Sequence, residues 1–324
     1  MATYKGIRGL TIRTIDGDAS PIIAGDIWYN STLGKIKGAK LPAGAWASGG
    51  NLNNAKWKMA GAGIQTAAII AGGQRPPGSV VEAETYDGSS WTEVGDINTA
   101  RRGLPGVGTQ TAAMIIGGFP GAKTEVEQYD GSSWTEVADL TVGRQWGAAA
   151  GTQTAALYWS GYTHPAAQTA TAELWNGASW TEVGDLNQAR YYARACCGTS
   201  TAALQIGGWS TPPSTQQPLV EEWNGSTWTE IADISTVREM AVGAGITTAA
   251  LVAAGYSGGS NTANTEQFDG TAWAEVANLA TARVQHGTAS AAPNTLALVM
   301  GGDPATNVTE EWTQEVEAVT FTSS

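Results

Sequence analysis

The sequence predicts an all-β chain built from six copies of one four-stranded unit, and three observations carry that reading. A phrase, Tyr86-Asp87-Gly88-Ser89-Ser90-Trp91, returns as Tyr129-Asp130-Gly131-Ser132-Ser133-Trp134, Trp175-Asn176-Gly177-Ala178-Ser179-Trp180, Trp223-Asn224-Gly225-Ser226-Thr227-Trp228 and Phe268-Asp269-Gly270-Thr271-Ala272-Trp273. A run of small residues, Thr111-Ala112-Ala113-Met114-Ile115-Ile116-Gly117-Gly118, recurs from Thr66, Thr154, Thr201 and Thr248, and in degraded form from Thr295 to Gly302. The copies repeat every ~45 residues, the span of four short strands and their turns. Composition agrees: 42 Gly and 14 Trp in 324 residues, with 14% charged side chains, suit short strands joined by glycine turns.

Residues 1–42 stand outside the repeat. Within them, Gly25-Asp26-Ile27-Trp28-Tyr29-Asn30-Ser31-Thr32-Leu33-Gly34-Lys35-Ile36-Lys37 reads as a hairpin of another kind, too short to fold without a surface to lean on. The repeat begins at residue 43, where Trp46 to Lys56 lines up with Trp91 to Arg101 over eleven positions, so the chain enters the unit at its last strand.

A full unit has four strands: one after Arg101, one over the small-residue run, one ending at Tyr129, and one opening at Trp134. Asp-Gly and Asn-Gly between the last two predict tight turns with both central residues at positive φ. The sixth unit stops after Glu310-Glu311-Trp312 without a Trp-led strand. The strand at Trp46 is expected to supply it, which removes an exposed edge. Residues 316–324 also read as a strand and compete for that place; they are assigned to the N-terminal hairpin instead.

Six such units imply a six-bladed β-propeller over residues 43–313, with an N-terminal extension over 1–42 and a C-terminal strand over 314–324. The second strand is expected to face the axis, and the Trp-led fourth strand to fill the gap between blades.

The doubled Gly followed by a spaced aromatic and Trp resembles the kelch motif over about residues 43 to 312. Ser160-Gly161 and Ala254-Gly255 depart from the pair. Gly25-Asp26-Ile27-Trp28-Tyr29-Asn30, ahead of units carrying Thr-Gln-Thr-Ala-Ala, resembles virion proteins of marine tailed bacteriophages. The resemblance implies a non-enzymatic tail or tail-fibre protein, held to other virion proteins by its N-terminal segment and displaying the propeller to a host-surface glycan or outer-membrane protein. It also implies a homo-oligomer located in the virion. A purely structural tail-wall or capsid decoration role is the alternative, and a glycan-processing enzyme the second.

A net charge of −12 disfavours nucleic acid and anionic membrane as partners. No apolar run reaches the ~18 residues of a membrane span, and the first residues lack the order of a signal peptide. Cys196 and Cys197 are adjacent, too close for an ordinary bridge, and read as apolar fillers.

Glu84, Glu127, Glu173, Glu221, Glu266 and Glu310 each stand two residues before the third-strand aromatic, and Lys56, Arg101, Arg144, Arg190, Arg238 and Arg283 open each first strand. Groups present once per blade point to structural ion pairs rather than to one active centre. His164 and His286 are the only imidazoles and lie in different units, so neither metal nor cofactor is expected, and no catalytic residue is assigned. The paired histidines and modified Tyr-Cys of kelch-type copper oxidases have no counterpart.

Symmetry breaks in the loops after each Gly pair, which carry Arg75, Phe119, Tyr162, His164, Trp209 and Tyr256. Beside them fall residues following the blade cation: Trp57, Arg102, Trp146, Tyr191, Tyr192 and Met240. Except for Arg75 and Met240, these form the candidate binding set, because aromatic rings with polar tips offer large contact area at small entropy cost. The alternative is that the rings only plug the loops onto their blades.

Overall fold

Short strands joined by tight turns satisfy their backbone N–H and C=O groups most directly by pairing with their neighbours in sequence, so the repeats form separate small sheets. In the computed structural model, which describes residues 12–22, 25–165, 167–212 and 214–321, the first such sheet runs Ala60–Ile64, Ala67–Ala71, Ala83–Tyr86 and Trp91–Val94, all antiparallel and paired in chain order. The second runs Gly106–Thr109, Ala112–Ile116, Val126–Tyr129 and Trp134–Val137. The third runs Ala148–Thr152, Ala155–Trp159, Ala172–Trp175 and Trp180–Val183; the fourth, Ala195–Gly198, Ala203–Ile206, Val220–Trp223 and Trp228–Glu230. The fifth runs Val242–Ile246, Ala249–Ala253, Thr265–Phe268 and Trp273–Val276.

The sixth sheet has only three strands from its own repeat, Gly287–Thr288, Leu296–Met300 and Thr309–Thr313; its outer strand is Ala45–Ser48, with Trp46 opposite Trp312. The chain is thus all-β, in small four-stranded antiparallel sheets, and no helix among the described residues is long and apolar enough to cross a membrane.

The chain divides into two units, residues 45–313 and a second formed by 1–44 with 314–324. The smaller unit is one sheet ordered Arg13–Ile15, Ile27–Asn30, Lys35–Lys40, Glu317–Thr320, so the C-terminal strand joins the N-terminal hairpin. The parallel pairing of Arg13–Ile15 with Ile27–Asn30 was not foreseen, since three residues carry no periodicity.

In the larger unit the core lies between sheets. Tyr129 and Trp134 of the second sheet pack with Ile69 and Ile97 from the first repeat, and Trp175 and Trp180 of the third with Met114 and Leu140. The same layer between the sixth and first sheets holds Leu298, Trp312, Tyr86 and Trp91. The Trp-led strand therefore fills the space between sheets.

Two expectations need correction. The backbones of neighbouring sheets approach most closely at the first strand of each repeat, where the second was expected to lie innermost. Gly61 permits that approach, since a Cβ there would lie 2.2 Å from the Thr288 carbonyl oxygen. The Asp-Gly turns, moreover, are four-residue loops in which only the glycine is left-handed, Gly88 at φ 91°. Asp87 instead accepts the backbone N–H groups of Ser89 and Ser90 through Oδ1, both at 2.8 Å, which spares it the positive φ.

Candidate functional site

Each loop is set by a buried cation. Arg101 donates through Nη1 to the carbonyls of Gly117 and Glu125 and through Nη2 to Glu127 at 2.5 Å, tying the start of the repeat to its second and third strands. The pairs Lys56–Glu84 at 2.8 Å, Arg144–Glu173, Arg190–Glu221 and Arg238–Glu266 at 2.5 Å, and Arg283–Glu310 repeat this, each inside one sheet and fully buried on the cation side. Burial alone pulls the Arg190, Arg238 and Arg283 guanidinium groups below the ordinary arginine range, and the carboxylate pulls back.

With the cation anchored, the next residue bridges to the loop after the Gly pair: Trp57 to Gln74, Arg102 to Phe119, Gln145 to Tyr162, Tyr191 to Trp209, Glu239 to Tyr256 and Val284 to Asp303. The residue after that is left-handed in every repeat, at Lys58, Gly103, Trp146, Tyr192, Met240 and Gln285, with φ between 52° and 65°. Five of the six carry side chains, for which this conformation costs ~1 kcal/mol each. Hydrogen bonds between repeats offset it: Lys58 N–H to Gln285 O at 2.6 Å, Gly103 to Lys58 at 2.8 Å, Trp146 to Gly103 at 2.9 Å, and Met240 to Tyr192 at 2.7 Å.

Four of the predicted residues come together on these anchors. Tyr162 and Tyr191 have ring centroids 5.3 Å apart, Tyr191 and Tyr192 4.5 Å, and Tyr192 and Trp146 5.3 Å, with Lys58 Nζ 5.4 Å from the Trp146 ring. A groove of about 510 Å³ opens at the head of this row, lined by Tyr162, Ala167, Gln168, Ala189, Tyr191 and Thr211. Gln168 fastens its two walls, accepting the Thr211 N–H at 2.8 Å and donating to the Thr211 carbonyl. Arg102 and Phe119 form a separate pair, guanidinium 4.1 Å from the ring centroid, with Arg102 also on Ser79 Oγ.

The other predicted residues add no ring to the row, although Trp209 is backbone-bonded to Tyr191. Trp57, Trp209 and Tyr256 make no ring–ring contact with the row among the described residues; they hold their loops through the bridges above. His164 is exposed at its loop tip. Lys58, Gln168, Thr211 and Glu239 escaped the sequence reading, although Lys58 and Glu239 stand at the same offsets from their cations as Trp146 and Tyr191.

Burial dominates the electrostatics of this neighbourhood. Burial raises the Tyr191 and Tyr192 hydroxyls above the usual phenol range, and lowers Lys58, with Arg102 adding repulsion. Burial pushes Cys196 up to about 11 and Cys197 higher, so both thiols stay protonated at neutral pH. Among the described residues no three His, Cys, Asp or Glu side chains converge as metal ligands.

Glu239 is the exception in this neighbourhood: only 5% exposed, it is held at about 7 by desolvation, against a weaker opposing hydrogen bond from Gln216. A raised folded-state value means that the penalty for ionising Glu239 is absent below its unfolded value near 4.3 and grows as pH rises toward 7. Glu239→Gln should therefore stabilise the protein by about 1–3 kcal/mol at pH 8 and by nothing measurable at pH 4. Urea unfolding at the two pH values checks it; an equal effect at both would assign the gain to packing.

No protein-family model matches the chain, and no curated protein matches it either.

Proposed function

We propose that the larger unit is a six-bladed, kelch-like β-propeller that recognises a host-surface glycan, within a non-enzymatic structural protein of a tailed-phage virion, tail or tail-fibre associated. Closure of the ring is supported by a contact that repeats. Gln110 Nε2 donates to Ala68 O and Tyr86 O of the preceding sheet, Gln153 to Ala113 O and Tyr129 O, and Gln65 to Ala297 O and Trp312 O, so the first repeat meets the sixth as the second meets the first.

The observation that carries the binding role is the row Tyr162, Tyr191, Tyr192, Trp146 beside a 510 Å³ groove. The half-buried Tyr162, Tyr191 and Tyr192 rings, tilted 45–55° to one another and backed by the buried Trp146, offer apolar faces with hydroxyl tips, which match the C–H faces and hydroxyls of a sugar chain. The smaller unit supplies an attachment surface to other virion proteins. Tyr29 pairs with Ile36, Ile36 with Phe321, and Ile27 shares their face, all four between 37% and 51% exposed.

Purified protein should bind host envelope polysaccharide, and the double variant Tyr162→Ala, Tyr191→Ala should weaken binding at least ~10-fold while the melting temperature holds. Absence of binding by the unmodified protein to host cells and their glycans alike would leave the purely structural role.

A further inference from the structure

Arg194 stands outside the repeat's cation–carboxylate pairing. Arg194, at the head of the fourth sheet's first strand, reaches away from its own repeat and donates through Nη2 to the carbonyls of Met59 at 2.6 Å and Leu104 at 3.4 Å, which precede the first strands of the first and second sheets. Its Nη1 is buried without a hydrogen-bond partner, and among the described residues no acidic side chain pairs with it. The six repeat cations each have a glutamate; this one lies instead on a cavity of about 20 Å³ lined by Gly61, Gly106, Ala149, Cys196, Thr288 and Ser290, drawn from five of the six sheets. Arg194 keeps part of its surface accessible and is itself one of the residues lining this cavity.

Four facts define the occupant. Desolvation lowers Arg194 only to about 10, so it remains a cation at neutral pH. A buried cation without a counter-charge is strongly penalised, and water can satisfy its N–H but not its charge. The second free donor is the Ser290 hydroxyl, also buried without a partner. His286, desolvated and held well below its ordinary value beside Arg283 and Arg194, is neutral and adds no competing charge. The cavity of about 20 Å³ has room for one monatomic ion.

We propose that this cavity binds a monatomic anion, chloride under ordinary conditions, as the counter-ion of Arg194, with the Ser290 hydroxyl as second donor. The site lies among the first strands and is independent of the aromatic row. The ion joins sheets that are otherwise distant in sequence, so it acts as a structural ligand that binds only the folded chain.

The test compares full-length protein in sodium chloride and in sodium gluconate at equal ionic strength. Chloride should raise the melting temperature saturably by roughly 5 °C at concentrations well above half-saturation, bromide should substitute, and sulfate should not. Ser290→Ala should need about fivefold more chloride, and Arg194→Met should lose the dependence. Should Arg194→Met fail to fold, crystals of the unmodified protein grown in bromide decide: an anomalous peak between Arg194 Nη1 and Ser290 Oγ is expected. Equal melting in chloride and gluconate, or a cavity holding only water in bromide, overturns the proposal.

Discussion

Glu127→Leu should lower the unfolding free energy by about 3–5 kcal/mol, because it leaves the fully buried guanidinium of Arg101 without its counter-charge. The substitution also removes the acceptor of the Asn98 N–H, Glu127 Oε2 at 2.7 Å, and one of the two acceptors of Asn98 Nδ2, at 2.8 Å, which keeps the Trp134 carbonyl at 3.1 Å. One carboxylate thus holds the entry to a repeat, its first strand and its third strand together. Adding Arg101→Met should recover much of the loss, since an apolar pair of similar volume pays no desolvation cost. Glu136→Ala is the control: this residue pairs with Glu127 across the ladder but points to solvent, and should change stability by under ~0.5 kcal/mol. Chemical denaturation at pH 7 measures all three; a Glu127 variant no costlier than the Glu136 one would remove the ion pair from the list of forces holding the sheet.

The repeat made most of this fold legible in advance. Strand boundaries follow from the recurrence of Tyr86 and Trp91, and the pairing of Trp46 with Trp312 follows from an eleven-residue match. Ion-pair partners were readable because symmetry places one cation and one carboxylate in every copy. What stayed hidden has a common cause: features written in backbone conformation or in contacts between distant repeats leave no mark in residue type. Lys58, Trp146, Tyr192, Met240 and Gln285 share a left-handed conformation although none favours it, because cross-repeat hydrogen bonds set it. Reading residues one and two positions past the cation as one class therefore mixed Trp57 and Arg102, which bridge to the loops, with Trp146 and Tyr192, which belong to the left-handed set. Arg194 belongs to no repeat pattern, and only the coordinates show its guanidinium crossing to Met59.

The outer strand of the sixth sheet gives the second large effect. Ala47→Pro is expected to cost about 2–4 kcal/mol, whereas Ser48→Pro should cost under ~1 kcal/mol. The difference follows from ladder register. Gly49 N–H donates to Thr309 O at 3.0 Å, and hydrogen-bonded pairs alternate along an antiparallel ladder, so Ala47 opposite Glu311 also donates inward while Ser48 opposite Glu310 points its N–H to solvent. Proline at Ala47 removes an inward donor and forces the strand off Glu310–Thr313, taking the Trp46 ring from its place 5.6 Å from Trp312. The freed edge then exposes N–H and C=O groups that can pair with another chain. Damage should spread to the first sheet, since Gln65 donates to the carbonyls of Ala297 and Trp312. Hydrogen exchange reads this directly: amides of Thr309–Thr313 and of Ala60–Ile64 should lose protection in the Ala47 variant while those of Ala155–Trp159 keep theirs. If both proline variants are equally stable, the strand contributes no ladder bonds to that sheet, and a ring closed by the chain's own N-terminal strand fails with it.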